Sequence, residues 1–188
     1  MSGGLRFVDA CTDEHFRAMS LIHAKGWRDT YADALPAVWM AENVTDERWI
    51  PTFRQYAAEG INHGLLLYRG DTPVSCATYG PARIGDQSHG GGEIVHFDAE
   101  GYVGWGEVIS FYTEPSERGK GYGGVLFEET LRRLKKAGFP QAYLFVLREN
   151  EKSRQFYERH GFAWDGTHQD IPFPPDTVCM DLRYCKML

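Results

Sequence analysis

The chain has 188 residues, of which 43% are hydrophobic and 14% aromatic, and a formal net charge of −6. Such a length suits one compact domain with a substantial core, read here as residues 1–188, and the acidic balance argues against nucleic acid as a partner, because a phosphate backbone calls for a net basic surface. The opening Met1-Ser2-Gly3-Gly4-Leu5-Arg6 lacks the apolar run of a signal peptide and no segment approaches a membrane span, so a cytoplasmic protein without a membrane partner is expected.

In chain order, Leu5 to Val8 reads as a short strand, and Thr12-Asp13-Glu14 as the cap of a helix that carries Phe16, Met19, Leu21 and Ile22 and ends near Tyr31. A second helix follows Thr45-Asp46-Glu47, with Trp49, Phe53 and Tyr56 on one side and Glu59-Gly60 as its stop. Gly64 to Tyr68 and Val74 to Tyr79, joined through Arg69-Gly70-Asp71-Thr72-Pro73, have the pattern of a hairpin. A glycine-rich insertion spans about 84–104, with Gly85, Gly90, Gly91, Gly92, Gly101 and Gly104; a small hairpin is expected at Glu93 to Phe97, and the segment is either a lid or a plain insertion.

A strand from Glu107 leads through a polar turn into Gly119, Gly121, Gly123 and Gly124, and then into a helix from Val125 to Ala137. Phe127, Leu131 and Leu134, with Leu126 and Thr130 beside them, give that helix an apolar stripe. Ala142 to Leu147 is a continuous apolar strand, Ser153 to His160 a helix stopped by Gly161, Ile171-Pro172-Phe173-Pro174-Pro175 a loop, and Val178 to Tyr184 a last strand. No internal repeat is present.

The glycine-rich turn before a helix is a phosphate-binding arrangement, because glycines let backbone N–H groups converge on an anion and the helix N-terminus adds partial positive charge. A Walker A loop does not fit: Lys120 is followed by Gly121 rather than Ser or Thr, and no glycine stands at the required earlier position. The dinucleotide pattern G-x-G-x-x-G is met literally by Gly119, Gly121 and Gly124. Its context is missing, because Glu114-Pro115-Ser116-Glu117-Arg118 separates strand from glycine and too little chain follows for a second βαβ half.

The third reading accounts for the surroundings. Arg118-Gly119-Lys120-Gly121-Tyr122-Gly123 matches R/Q-x-x-G-x-G/A, and Val146 to Phe162 matches V-x-x-x-N-x-x-A/S-x-x-F-Y-x-x-x-G-F through Asn150, Ser153, Phe156, Tyr157 and Gly161. Two motifs in this order, separated by one helix and one strand, make residues 102–165 resemble the acetyl-CoA-binding core of the GNAT superfamily of N-acetyltransferases. The resemblance implies an α/β fold: a mixed, mostly antiparallel sheet with a splayed parallel strand pair, flanked by helices. It further implies an acetyl-CoA-dependent N-acetyltransferase that acts by direct attack of a primary amine, from a small molecule or peptide, in a ternary complex.

Carried onto this chain, the resemblance assigns the cosubstrate to Phe111, Thr113, Arg118, Gly119, Lys120, Gly121, Tyr122, Gly123, Gly124, Asn150, Ser153 and Phe156. The main-chain N–H of Phe111 would serve the thioester oxygen, Thr113 would make a second contact, and Asn150 would hold the pantetheine arm or cap the next helix. Glu107 stands at the spacing of the catalytic glutamate in the histone-lysine branch. Walled by Trp105, Ile109 and Tyr112, its carboxylate could act as base, directly or through water, with a pKa raised by desolvation. Tyr157 matches the tyrosine that faces the sulfur, and a phenol that stays protonated at neutral pH can donate to a departing thiolate.

Cys11, Cys76, Cys179 and Cys185 form no C-x-x-C pair and read as free thiols, and no metal is expected. His23, His63, His89, His96, His160 and His168 lack ligand spacing and read as surface or loop residues, with His96 near the acceptor side. Trp27, Tyr31, Trp39 and Trp49 are candidates to line an amine pocket, although core packing is the commoner role of such residues. The acceptor and the oligomeric state, including a homodimer, stay open. So do two other functions: a non-catalytic acyl-CoA sensor and, on the literal glycine pattern, a nicotinamide-dependent oxidoreductase.

Overall fold

The computed structural model describes residues 4–89, 93–97 and 102–188. The expectations for the N-terminal residues 1–3 and for Gly90, Gly91, Gly92 and Gly101 of the insertion lie outside the described residues. The elements are β1 (Leu5–Asp9), α1 (Asp13–Thr30), α2 (Ala37–Asn43), α3 (Ile50–Glu59), β2 (His63–Arg69), β3 (Thr72–Pro81), β4 (Gly85–His89) and β5 (Glu93–Phe97). There follow β6 (Gly106–Thr113), α4 (Tyr122–Lys136), β7 (Gln141–Leu147), α5 (Glu151–Arg159), β8 (Ala163–Phe173) and β9 (Thr177–Met187). Seven strands make one sheet in the order β1-β2-β3-β6-β7-β9-β8, and β4 pairs with β5 in a separate antiparallel ribbon, where the small hairpin was expected.

Every neighbouring pair in the large sheet is antiparallel except β6 and β7, which are parallel. The mixed α/β sheet expected from the sequence is therefore present. The parallel pair is also short: only Gly106 faces Ala142 and Glu107 faces Tyr143. Beyond those residues β6 continues on β3 as far as Thr113, while β7 continues on β9 as far as Leu147. The two strands part, and the sheet opens as a wedge at its centre.

Alternation along the strands feeds two cores. Leu66, Tyr68 and Cys76 point to the side covered by α1, α2 and α3, where Phe16, Met19, Trp27, Trp49 and Phe53 pack. Leu65, Leu67 and Val74 point to the other side, against Leu126, Phe127, Leu131 and Leu134 of α4. α1 starts as its sequence dictates, with the Thr12 hydroxyl accepting from the His15 N–H and Asp13 and Glu14 in the first turn. It presses close to β6 at Gly26, where an added Cβ would lie 2.2 Å from the Tyr112 ring. α3 ends on Gly60 in the left-handed region, φ 67°, as its sequence predicts.

Two elements differ from the sequence reading. α2 is a seven-residue helix that buries only Trp39 and Met40, too short to show a period. β8 takes in Ile171, Pro172 and Phe173, which read as a loop. It is an edge strand, exposed over most of its length, with a register break between Trp164 and His168 around Gly166; from Thr167 onward its burial alternates, Ile171 and Phe173 facing inward and Pro172 outward, so the proline is compatible with its place.

Candidate active site

The wedge between β6 and β7 opens into a cleft of about 1390 Å³ that runs from the start of α4 to the aromatic ends of α1 and α3. On β6, the Glu114 N–H bonds to the Val74 carbonyl and the Tyr112 carbonyl accepts from the Ser75 hydroxyl, so residues 112 and 114 turn their backbone groups toward β3. Alternation then turns the N–H and C=O groups of Phe111 and Thr113 the other way, into the wedge where β7 has left. The two residues singled out for main-chain contacts are the ones whose amides the splay sets free.

At the mouth of the wedge the turn after β6 prepares the first amides of α4. Gly119 and Gly121 have φ of 77° and 85°, conformations that side chains resist, and an added Cβ at either would meet no atom within 4 Å. Gly121 is the N-cap, and no side chain caps the helix; the first intrahelical bond runs from the Val125 N–H to the Gly121 carbonyl. Helix geometry leaves the N–H groups of Tyr122, Gly123 and Gly124 without intrahelical acceptors, beside the cleft that these residues line. A Cβ at Gly123 would lie 3.1 Å from Thr113 Oγ1, which lets the helix start sit directly on β6. The helix begins at Tyr122, three residues before its predicted start, because the glycines of the turn are drawn into its first turn.

The two cations of the motif are tied to neighbouring acids. Arg118 pairs with Asp29 at the end of α1, and Lys120 Nζ lies 3.0 Å from Glu117 Oε2. Both pairs are exposed, so they hold the turn only weakly and leave the main chain as its principal anion-binding surface.

From the opposite wall, α5 brings Asn150, Ser153, Phe156 and Tyr157 to the cleft. Asn150 Oδ1 accepts from the Ser153 N–H at 3.1 Å, the helix-capping role weighed for it from the sequence. Phe156 stacks on Phe111 with ring centroids 5.7 Å apart, which joins α5 to β6 across the wedge. Tyr157 is 8% exposed, packed against Phe127 and Phe162, and burial pushes its phenol well above the usual tyrosine range. It therefore stays protonated at neutral pH, as a proton donor must.

Glu107 also borders the cleft, with surroundings other than the expected wall of Trp105, Ile109 and Tyr112. It is 1% exposed and bound by Arg83: Nε lies 3.1 and 3.0 Å from its two oxygens, Nη2 2.6 Å from Oε1, and the Arg83 backbone N–H 3.1 Å from Oε2. The Tyr143 hydroxyl adds a further bond at 2.8 Å. Five donor contacts occupy both oxygens, so the carboxylate is held as the counter-ion of Arg83. Neither residue type nor spacing singles out Arg83, which stands at the border of the glycine-rich insertion.

Two further buried polar groups were not anticipated. His23, read as a surface or loop residue, is 6% exposed and stacks on Trp49 with centroids 4.2 Å apart, because α1 turns this position toward the core. Asp181 on β9, 4% exposed, borders the cleft opposite Leu147 of β7 and Gln169 of β8. Its Oδ1 is buried and receives no hydrogen bond from a described group. Burial pushes its carboxyl up to about 7, helped by the negative charge of Glu149. An acidic residue in a strand interior, between Met180 and Leu182, was the available signal.

Among the described residues no group of three or more His, Cys, Asp or Glu side chains could hold a metal ion, and no helix is long and apolar enough to cross a membrane. Cys11, Cys76, Cys179 and Cys185 are free thiols.

Known proteins share this architecture. A ribosomal-protein-alanine N-acetyltransferase from Brucella melitensis superposes with a TM-score of 0.71 at 20% identity, over 97% of this chain and 99% of that one. The PaiA N-acetyltransferase of Thermoplasma acidophilum, solved in complex with coenzyme A, gives 0.66 at 16% identity, over 95% and 98% of the two chains. In sequence, YwnH of Bacillus subtilis (strain 168), provisionally named a phosphinothricin acetyltransferase, is 36% identical over 55 residues, which take in 29% of this chain and 34% of that protein. The model of the acetyltransferase (GNAT) family matches residues 24–162, which hold the wedge, the glycine turn and α5. The chain belongs to the GNAT family of acetyltransferases.

Proposed function

We propose that the protein transfers an acetyl group from acetyl-CoA to a primary amine of a small molecule or peptide, by direct attack within a ternary complex. One observation carries this reading: the free amides at the start of α4 adjoin a wedge whose β6 edge offers unpaired main-chain groups at Phe111 and Thr113. The first can take a diphosphate, the second an extended arm with amide groups of its own, and the two lie in one cleft. Coenzyme A in the Thermoplasma structure is consistent with that donor.

In this reading Arg118, Gly119, Lys120, Gly121, Tyr122, Gly123 and Gly124 surround the diphosphate, and Asn150, Ser153 and Phe156 bound the arm. The Phe111 N–H stabilises the oxygen of the tetrahedral intermediate, and Tyr157 protonates the departing sulfur.

Acetyl-CoA should raise the melting temperature of the purified chain while NAD leaves it unchanged, since only a ligand of the native state stabilises it. Release of CoA thiol across a panel of amines separates an enzyme from a sensor. Tyr157→Phe should lower kcat on the order of 100-fold with acetyl-CoA affinity unchanged, measured by calorimetry and steady-state kinetics. Equal kcat values would remove Tyr157 from the reaction.

A further inference from the structure

We propose that Asp181 is the acceptor-side base of the cleft, receiving the ammonium group of a primary amine borne on an aromatic or apolar body and taking its proton. The inference rests on the acetyl-transfer reading and adds to it the base and the class of acceptor.

Glu107 is filled by Arg83 and Tyr143, whereas Asp181 has an oxygen that no described group bonds. Such an arrangement costs stability, because a buried carboxylate oxygen without a donor loses its hydration with no bond in return. An arriving ammonium would supply the missing donor. Tyr31 and Tyr112 adjoin Asp181, Trp27 stacks on Tyr31 with Trp49 next to it, and aromatic faces beside a carboxylate suit a cation attached to an apolar group. The phenols of Tyr31 and Tyr112 both feel the charge of Asp181 and both feel Tyr157, so the carboxylate and the proposed acid share one neighbourhood.

The groups that face Asp181 do not neutralise it. Glu149 after β7 is negative and bound to Arg148, Cys179 is its neighbour along β9, and Tyr31, Tyr112 and Tyr157 approach from α1, β6 and α5. Arg183, two residues further along β9, is committed to Asp165. A carboxyl pushed up to about 7 in this setting is poised to exchange a proton near neutral pH.

The ammonium gives its first proton to Asp181, which later releases it to solvent. The neutral nitrogen forms the C–N bond, and the oxygen of the tetrahedral intermediate bonds to the Phe111 N–H. As the C–S bond breaks, the second proton leaves nitrogen for water in the cleft, while Tyr157 gives its phenolic proton to the thiolate and regains one from solvent, so that one amine proton has in effect been exchanged for the thiol proton. The third proton stays on the product amide.

The test uses the full chain, acetyl-CoA, and 2-phenylethylamine with spermidine as comparison. Wild type should turn over 2-phenylethylamine faster than spermidine, with kcat/KM rising through an inflection near pH 7. Asp181→Asn should lose on the order of 100-fold in kcat/KM and lose that inflection, while its melting temperature still rises with acetyl-CoA as in wild type. A wild-type profile without the inflection, a variant within threefold of wild type, or no turnover of 2-phenylethylamine would each overturn the proposal while leaving the donor site intact. Failure of acetyl-CoA to stabilise either protein would instead overturn the acetyl-transfer reading beneath it.

Discussion

Two carboxylates shut away from water, Glu107 and Asp181, differ in what they meet there. Arg83 and Tyr143 saturate Glu107, so removing its side chain takes from the buried Arg83 guanidinium the carboxylate that it grips with both Nε and Nη2. Glu107→Ala should cost about 3–5 kcal/mol in urea unfolding, the usual penalty for breaking a buried pair from one side. An unchanged midpoint would mean that Arg83 readily finds water or another acceptor. Asp181 behaves otherwise, because its folded pKa, about 7, lies above the ordinary carboxylate value. The folded state then binds more protons between roughly pH 4 and pH 7, and stability present below that window is lost as pH rises through it. The melting temperature of Asp181→Asn relative to wild type should therefore be higher at pH 8 than at pH 5; a constant difference would refute the shift. Neither environment can be read from residue identity alone. Glu107 stood out by its spacing from the glycine turn, whereas Arg83 and Asp181 acquire their roles only when β3, β6, β7 and β9 come together.

At the scale of single elements, α4 shows what periodicity can and cannot announce. Its stripe of Leu126, Phe127, Thr130, Leu131 and Leu134 is buried as the 3.6-residue pattern demands, and the glycines before it marked a helix start. α2 and β8 were hidden for different reasons: one is too short to repeat, and the other buries only Ile171 and Phe173, on either side of a proline that reads as a loop. The start of α4 is also where charge should tell. Gly121→Glu places a side chain at φ 85° and a negative group beside the free amides, so acetyl-CoA should no longer raise the melting temperature. Retention of the shift would move the diphosphate site away from this turn.

Across the whole molecule, the family motifs carried the fold because each marks a place where the sheet must depart from regularity. The wedge itself was implied by the resemblance and could not be derived from hydropathy, since β6 and β7 both read as ordinary strands. What the resemblance left open was the far end of the cleft, where Trp27, Tyr31 and Trp49 are core residues and cleft walls at once. Acetyl-CoA should slow hydrogen exchange at the amides of Phe111 and Thr113 more than at those of β1 and β2, as measured by mass spectrometry or NMR. Uniform protection would indicate binding elsewhere.

The two-residue seam at Gly106–Ala142 and Glu107–Tyr143 has a mechanical consequence. Strands β1, β2, β3 and β6 form one panel and β7, β9 and β8 another, stitched together at one corner like the covers of a half-open book. A guest lying along the fold would act as a temporary spine, binding the covers through main-chain groups that the protein has left unspent. The chain thus carries a built-in slot for a strand that it does not encode, and its rigidity should depend on whether that slot is filled.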